Sequence, residues 1–104
     1  MIKTLILIPE HDNDGTPFEA GTFREFEAQL RQIEGGFSMR AGIVGEWQGF
    51  RDANREYTVA IESWLDLGAW LSVAVAAIEL FRQQAIYIEV AGVPEVISRA
   101  GSLG

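Results

Sequence analysis

The chain has 104 residues, no cysteine, and 15 acidic against 8 basic residues, which gives a formal net charge of −7. This length fits one domain, and the lack of cysteine excludes disulfide frameworks, thiolate zinc sites and a cysteine nucleophile. The excess of acid repels phosphate backbones and anionic membrane surfaces, so we expect neither nucleic acid nor a membrane as a partner.

The first predicted element is a strand over residues 2–8, a β-branched and apolar run that ends at Pro9. This run is too short for a secretion signal and lacks a small-residue cleavage site, so we expect a cytoplasmic protein. A turn follows at residues 12–15, and Thr16 and Thr22 each begin a capping box that favours a helix start. The helix has apolar residues at helical spacing, namely Phe23, Phe26, Leu30 and Ile33.

Residues 42–48 and 57–64 predict a hairpin, with residues 49–56 as a polar connection. A second helix is expected from Asp66 to about Gln83, and residues 85–90 form a closing strand. This order predicts a ferredoxin-like βαββαβ fold, an α+β two-layer sandwich. Its antiparallel four-stranded sheet would have the order 4-1-3-2, with two helices on one face. We expect a single domain over residues 1–95 and a partly disordered C-terminal tail over residues 96–104.

Alternation along the predicted strands divides the sheet into a face covered by the helices and an open face. The open face would carry an apolar patch made of Leu5, Leu7, Val44, Trp64 and Tyr87. Such a patch is rarely left in water, so a second subunit should cover it. The second helix supports association, because residues 67–78 contain no charge. We therefore expect a homo-oligomer, most simply a dimer.

Three carboxylates are predicted on the same open face, at Glu46, Glu62 and Glu89. Acids held on strands can transfer protons to a ligand, which makes these residues the first catalytic candidates. With the first and third strands taken as parallel neighbours, Trp64 and the loop that bears His11 would meet at one edge of the sheet. A small-molecule ligand would then lie between them.

The loop after the first strand offers two further candidate sites. Residues 10–15 partly resemble a calcium loop, but the twelfth position is Gly21, so the bidentate carboxylate is missing. We therefore expect no metal and no cofactor. His11, the sole histidine, is a candidate general acid or base.

The predicted hairpin connection carries Arg51 and Arg55, which could clamp an anion. Salt bridges to the adjacent Asp52 and Glu56 are the simpler expectation for these arginines.

Most of the chain resembles a family of small uncharacterised bacterial proteins. The resemblance implies one domain over about residues 1–95, and it carries over no activity and no catalytic residues. The matching stretches are Ile8-Pro9, Asp12-Asn13-Asp14-Gly15, Pro17-Phe18, Gly35-Gly36-Phe37, Gly45-Glu46-Trp47, Asp52-Ala53-Asn54-Arg55-Glu56-Tyr57, Trp70-Leu71 and the segment from Phe81 to Gly92.

Two functional hypotheses follow from these patterns. The first is a small dimeric binding or interaction module that uses the open sheet face. The alternative is a small enzyme of the dimeric α+β barrel type, which acts on a small molecule in a sheet-face cavity through carboxylate and histidine acid–base groups.

Overall fold

Five strands form a single antiparallel sheet, and two helices pack on one of its faces. The computed structural model describes residues 1–34, 36–47 and 50–99. The elements in chain order are β1 (Ile2–Pro9), α1 (Ala20–Glu34), β2 (Ser38–Trp47), β3 (Phe50–Ile61), α2 (Trp64–Leu80), β4 (Ala85–Val90) and β5 (Val93–Ser98). No helix in these ranges is long and apolar enough to cross a bilayer.

The strand order is β2-β3-β1-β4-β5, so the α+β class is confirmed and the first four strands have the predicted order 4-1-3-2. The sheet has five strands and not the predicted four, so the ferredoxin-like detail is not confirmed. The strand that the prediction lacked is β5, which pairs along β4 and includes residues 96–98 of the expected tail. Residues 100–104 of that tail lie outside the described residues. Pro94 argued against a strand at this position in the sequence. Proline is nevertheless tolerated on an edge strand such as β5, because its missing N–H can face solvent and no hydrogen bond between strands is lost.

A two-residue turn at Ala91 and Gly92 joins β4 to β5. Both residues have positive φ, 53° and 80°, as a type I′ hairpin turn requires. Glycine meets this requirement without strain, whereas alanine does not. The sequence signal for the hairpin was therefore weaker than Asn-Gly or Asp-Gly would have given.

The β2–β3 hairpin is longer than predicted, because residues 50–56 belong to β3 and do not form a loop. A bulge between Arg40 and Ile43 shifts the register, with Gly42 at a φ of 72°. Beyond the bulge, Val44 lies opposite Ala53 in the register. Ala53 is on the same side of β3 as the buried Tyr57 and Val59, which is the side covered by the helices. The predicted placement of Val44 and Glu46 on the open face is therefore wrong.

The first and third strands run antiparallel, with Ile2 opposite Ile61 and Pro9 opposite Asn54. The prediction of parallel neighbours is wrong. Because antiparallel strands end at opposite edges, His11 follows one end of this strand pair and Trp64 follows the other end.

The core lies between the sheet and the helices, as the alternation of apolar residues predicts. Thr4 is buried among these apolar residues, and its hydroxyl donates to the Val59 carbonyl oxygen at 2.7 Å. The strands supply Ile6, Ile8, Tyr57, Val59, Ile61, Ile86, Ile88 and Ile97 to the core, and the helices supply Phe23, Phe26, Leu30, Leu67, Trp70, Ala74, Ala77 and Ile78.

The second helix begins at Trp64, two residues before the predicted start at Asp66. Ser63 is its N-cap, and the Ser63 hydroxyl oxygen accepts from the Asp66 backbone N–H at 3.1 Å. The buried residues of α2 recur at helical spacing on one side, so this helix has one inner face despite its uniform hydropathy.

Candidate functional site

An open cleft of about 600 Å³ lies where β1 ends and the following loop meets β3. We call residues 10–18 the acidic loop, and this loop forms one wall of the cleft. The lining residues are Pro9, His11, Asp12, Asn13, Gly15, Arg51, Asp52, Ala53 and Gln83. The cleft lies at the end of the sheet and not over its open face, where the enzyme hypothesis had expected a cavity.

The acidic loop is closed by its own hydrogen bonds around Asp12. One oxygen of the Asp12 carboxylate, Oδ1, accepts from the backbone N–H groups of Asp14 at 2.9 Å and Thr16 at 3.0 Å. The backbone N–H of Asp12 donates to the Thr16 carbonyl oxygen at 2.8 Å. A carboxylate engaged in this way orders a turn. Across the described ranges, no three His, Asp or Glu side chains are grouped to hold a metal ion.

Two contacts attach the acidic loop to β2 and β3. The backbone N–H of Glu10 donates to the Ala53 carbonyl oxygen at 2.9 Å. The Glu10 carboxylate accepts from the Gly42 backbone N–H at 3.1 Å, at the bulge of β2. The loop is therefore fixed against the hairpin that supplies the opposite wall of the cleft.

A third contact reaches the acidic loop from the end of α2. The Arg82 guanidinium lies 3.7 Å from Oδ2 of Asp12 and 5.9 Å from the centre of the Phe18 ring. Arg82 has a φ of 52°, a left-handed conformation that helix ends usually assign to glycine. Here the arginine is strained, and it extends its side chain over the loop.

The hairpin wall presents charges of both signs to the cleft. Arg51 and Asp52 are both exposed and line the cleft together with the exposed His11. Arg51 can bind a carboxylate and Asp52 a cation or a hydroxyl, since ionised groups make the stronger hydrogen bonds. The cleft can therefore hold a polar small molecule that carries both charges.

Arg55 does not join Arg51 in an anion clamp. Its guanidinium stacks over Phe23, 3.8 Å from the ring centre, and lies 3.5 Å from Glu27. The expected local salt bridge to Glu56 also fails to form, because Glu56 pairs across the sheet with Arg40 at 2.9 Å.

Arg55 belongs to a polar network between α1 and β3 that the sequence did not indicate. The buried Tyr57 hydroxyl donates to Oε2 of Glu27 at 2.6 Å. Burial raises the pKa of Tyr57 well above its ordinary value of 10.0, and the hydrogen bond to Glu27 raises it further. Because Tyr57 and Glu27 use each other as partners, we interpret this network as structural.

The three predicted carboxylates do not meet. In the register of β2 and β3, Glu46 lies opposite Arg51 near one end of β3. Glu62 follows Ile61 at the other end of β3. At the rise of a β-strand, these positions are on the order of 30 Å apart. Glu89 lies on β4 and accepts from the Tyr87 hydroxyl at 2.7 Å, a bond that raises the pKa of Tyr87. Of the four catalytic candidates, only His11 lines the cleft.

The predicted apolar patch does not form as one surface. Leu5, Leu7 and Tyr87 share the open face and are each partly buried. Val44 lies on the other side because of the bulge, and Trp64 is the first residue of α2, where it is 76% exposed.

Comparison with known proteins gives a likeness in fold alone. No protein-family model and no curated protein matches the chain. A solved structure of a phage SAM lyase in complex with S-methyl-5'-thioadenosine matches with a TM-score of 0.61 and 14% identity, over 97% of this chain and 92% of that chain. A phage SAM lyase in the apo state matches with a TM-score of 0.58 and 15% identity, over 99% of this chain and 83% of that one.

This comparison contradicts the first functional hypothesis, the binding or interaction module on the open sheet face. The solved proteins that share the fold along nearly their whole length are described as a lyase, which is an enzyme.

Proposed function

We propose that the chain is a small lyase that binds S-adenosylmethionine (SAM), or a closely related adenosyl sulfonium, and cleaves its carbon–sulfur bond. The observation that carries the proposal is the cleft between the acidic loop and β3, lined by His11, Arg51 and Asp52. The likeness in fold to a SAM lyase supports the choice of substrate.

The charge of the chain suits this substrate. SAM carries a sulfonium and an ammonium cation against one carboxylate, so it is a net cation that an acidic protein attracts. The chain has a formal net charge of −7. Within the cleft, Asp52 is an exposed carboxylate for the cationic groups. Arg51 is an exposed guanidinium for the carboxylate of the substrate.

The chemistry makes few demands on the protein. When the bond between sulfur and the four-carbon chain breaks, its electron pair stays on sulfur, and S-methyl-5'-thioadenosine leaves as a neutral thioether that needs no proton. The carbon that was bonded to sulfur must gain a new electron pair, and this can happen in one of two ways. Either the substrate's own carboxylate attacks it and closes a lactone, or a base removes a proton from the adjacent carbon and an alkene forms.

The two routes assign different roles to His11. Lactone formation requires the protein to position the substrate, so the histidine would act through contacts alone. Alkene formation requires a base, and an imidazole accepts protons near neutral pH. His11 is exposed in the cleft and is the residue of this wall suited to that task.

The direct test is incubation of the purified protein with SAM, with S-methyl-5'-thioadenosine and the four-carbon product quantified by mass spectrometry against a buffer blank. Arg51→Gln should raise KM by about tenfold, the effect of losing a charge-assisted contact. Arg24→Gln, at an exposed position of α1, is the matched control and should behave as wild type. Product formation no faster than the blank would remove the lyase assignment.

His11→Gln separates the two routes in the same assay. If the product is the alkene, loss of the base should lower kcat by about 100-fold or more. If the product is the lactone, the variant should retain kcat within about threefold, because the attacking group belongs to the substrate.

A further inference from the structure

The cleft receives residues from both sides of the strand on which it is centred. In the sheet, β1 is flanked by β3 and by β4. Arg51 and Asp52 belong to β3, whereas Gln83 lies just before β4, which begins at Ala85. Neighbouring strands are spaced by about 4.8 Å, so β3 and β4 are roughly 10 Å apart across β1. The cleft therefore has a charged end on β3 and an uncharged polar group, the Gln83 amide, on the side of β4.

Three hydrogen bonds hold Gln83 in place. Its backbone N–H donates to the Ile78 carbonyl oxygen at 2.8 Å, and its own carbonyl oxygen accepts from the Arg99 guanidinium at 2.8 Å. The nitrogen of its side-chain amide donates to the Phe81 carbonyl oxygen at 2.8 Å. The residue is half-buried. Its amide group is therefore positioned before any ligand binds, which lowers the cost of ordering it on binding.

The bond to Phe81 determines which end of the amide is the donor, because only the nitrogen can donate to a carbonyl oxygen. The bond uses one of the two N–H groups. Within the described ranges, the other N–H and the amide oxygen of Gln83 have no hydrogen-bond partner. The side chain therefore offers one acceptor beside one donor. This pair complements the edge of adenine, where an exocyclic amino group donates and the adjacent ring nitrogen accepts.

We propose that Gln83 binds the edge of the adenine ring and makes the cleft selective for adenine. The inference rests on the proposed lyase function, which supplies an adenosyl substrate. Arg51 and Asp52 suit the charged groups of that substrate and leave its uncharged base without a partner. The substrate then lies across the end of β1, with adenine at Gln83 and its amino-acid end at Arg51.

Asn13 is the other carboxamide of the cleft, and it is less suited to this role. It is exposed on the acidic loop. In the part of the chain that the structure describes, no hydrogen bond orients the Asn13 side chain, whereas the Gln83 amide is held by Phe81. An amide without such a partner turns freely and presents its donor and acceptor in either order, so it does not distinguish adenine from other bases.

Calorimetry with two ligands tests the selectivity. The first is S-methyl-5'-thioadenosine, and the second is its inosine analogue, in which a carbonyl oxygen replaces the amino group of adenine. That oxygen would face the amide oxygen of Gln83, and the amide cannot turn without losing its bond to Phe81. The wild type should therefore bind the adenosine compound about tenfold more tightly than the inosine compound. This comparison requires no variant.

Gln83→Met keeps the length of the side chain and removes the amide. The preference for the adenosine compound should fall to within about threefold, while the affinity for the inosine compound should stay within about threefold of the wild-type value. The second result shows that the cleft is intact. Gln84→Met makes the same exchange at the next residue, which is exposed and does not line the cleft, and it should retain the full preference.

Equal affinity of the wild type for the two compounds, no binding of either, or an unchanged preference in Gln83→Met would overturn the inference. The SAM cleavage assay reports separately on the lyase function. If the wild type cleaves SAM and shows no preference between the two compounds, the inference alone fails. If the wild type shows the preference and Gln83→Met loses it, but SAM is not cleaved, the role of Gln83 in binding adenine stands and the lyase function fails.

Discussion

The Glu10 carboxylate accepts a hydrogen bond from the Gly42 backbone N–H at 3.1 Å, and this contact ties the start of the acidic loop to the bulge of β2. The two residues are 32 positions apart in the chain. The bond therefore depends on the bulge, which turns the Gly42 N–H toward the loop and away from the β2–β3 ladder. It fixes the distance between the two walls of the cleft.

Replacement of Glu10 by alanine should loosen the cleft more than it destabilises the fold. The lost bond is exposed, so we expect a loss of about 1 kcal/mol in the free energy of unfolding, measured by urea denaturation. The affinity for S-methyl-5'-thioadenosine, measured by calorimetry, should fall about five- to tenfold. Glu10→Gln keeps an oxygen acceptor and should retain both values; equal effects of the two substitutions would show that the bond to Gly42 is unimportant.

Tyr57→Phe removes the buried hydroxyl that donates to Glu27. We expect a loss of about 1–2 kcal/mol in the free energy of unfolding at neutral pH, because the Glu27 carboxylate loses a partner in a half-buried position. Tyr87→Phe is the control: Tyr87 is less buried than Tyr57, and the loss should be about 0.5 kcal/mol or less. A loss of similar size in both variants would contradict the structural role of Tyr57.

The same tyrosine predicts a pH dependence. The pKa of Tyr57 is raised in the folded protein above the ordinary value of 10.0, so the folded state holds this proton more tightly than the unfolded state does. Its contribution to stability is complete below pH 10 and is lost as pH rises above that value. Unfolding measured between pH 9 and about 11 should show a steeper decline for the wild type than for Tyr57→Phe; parallel curves would exclude the effect.

Ser63→Ala should weaken the start of α2. The N-cap hydroxyl oxygen accepts from the Asp66 N–H, and loss of such a cap costs about 1 kcal/mol in the free energy of unfolding. Ser72→Ala is the matched control in the middle of the same helix. It should be neutral or slightly stabilising, because alanine is the better helix former. Equal urea midpoints for the two variants would show that Ser63 is not the cap.

The sequence was a good guide to the core of this fold. Alternation of large apolar residues identified the helix-covered sides of β1 and β3, including Ile6, Tyr57 and Val59, because burial acts on every second side chain. It failed in the outer part of the β2–β3 hairpin. In that part the strands carry polar residues on both sides and are held by backbone hydrogen bonds. Their side chains therefore lack the alternation of apolar and polar residues from which a strand is predicted.

Local backbone features account for the remaining errors. The bulge beside Gly42 reversed the side on which Val44 and Glu46 lie, and a one-residue shift of this kind has no clear sequence mark. The direction of β1 relative to β3 placed His11 away from Trp64. The sequence identified only part of the candidate site. His11 was named, whereas its place in one cleft with Arg51 and Asp52 depends on strand pairing between distant segments.

The central claim is that a thioadenosine ligand binds in the cleft, and an NMR titration of ¹⁵N-labelled protein with S-methyl-5'-thioadenosine tests it most directly. We expect saturable shift changes concentrated in the acidic loop, at Arg51, Asp52 and Ala53, and at Gln83. Shift changes concentrated on the open sheet face around Leu5, Leu7 and Tyr87, or no saturable change at millimolar ligand, would contradict the account.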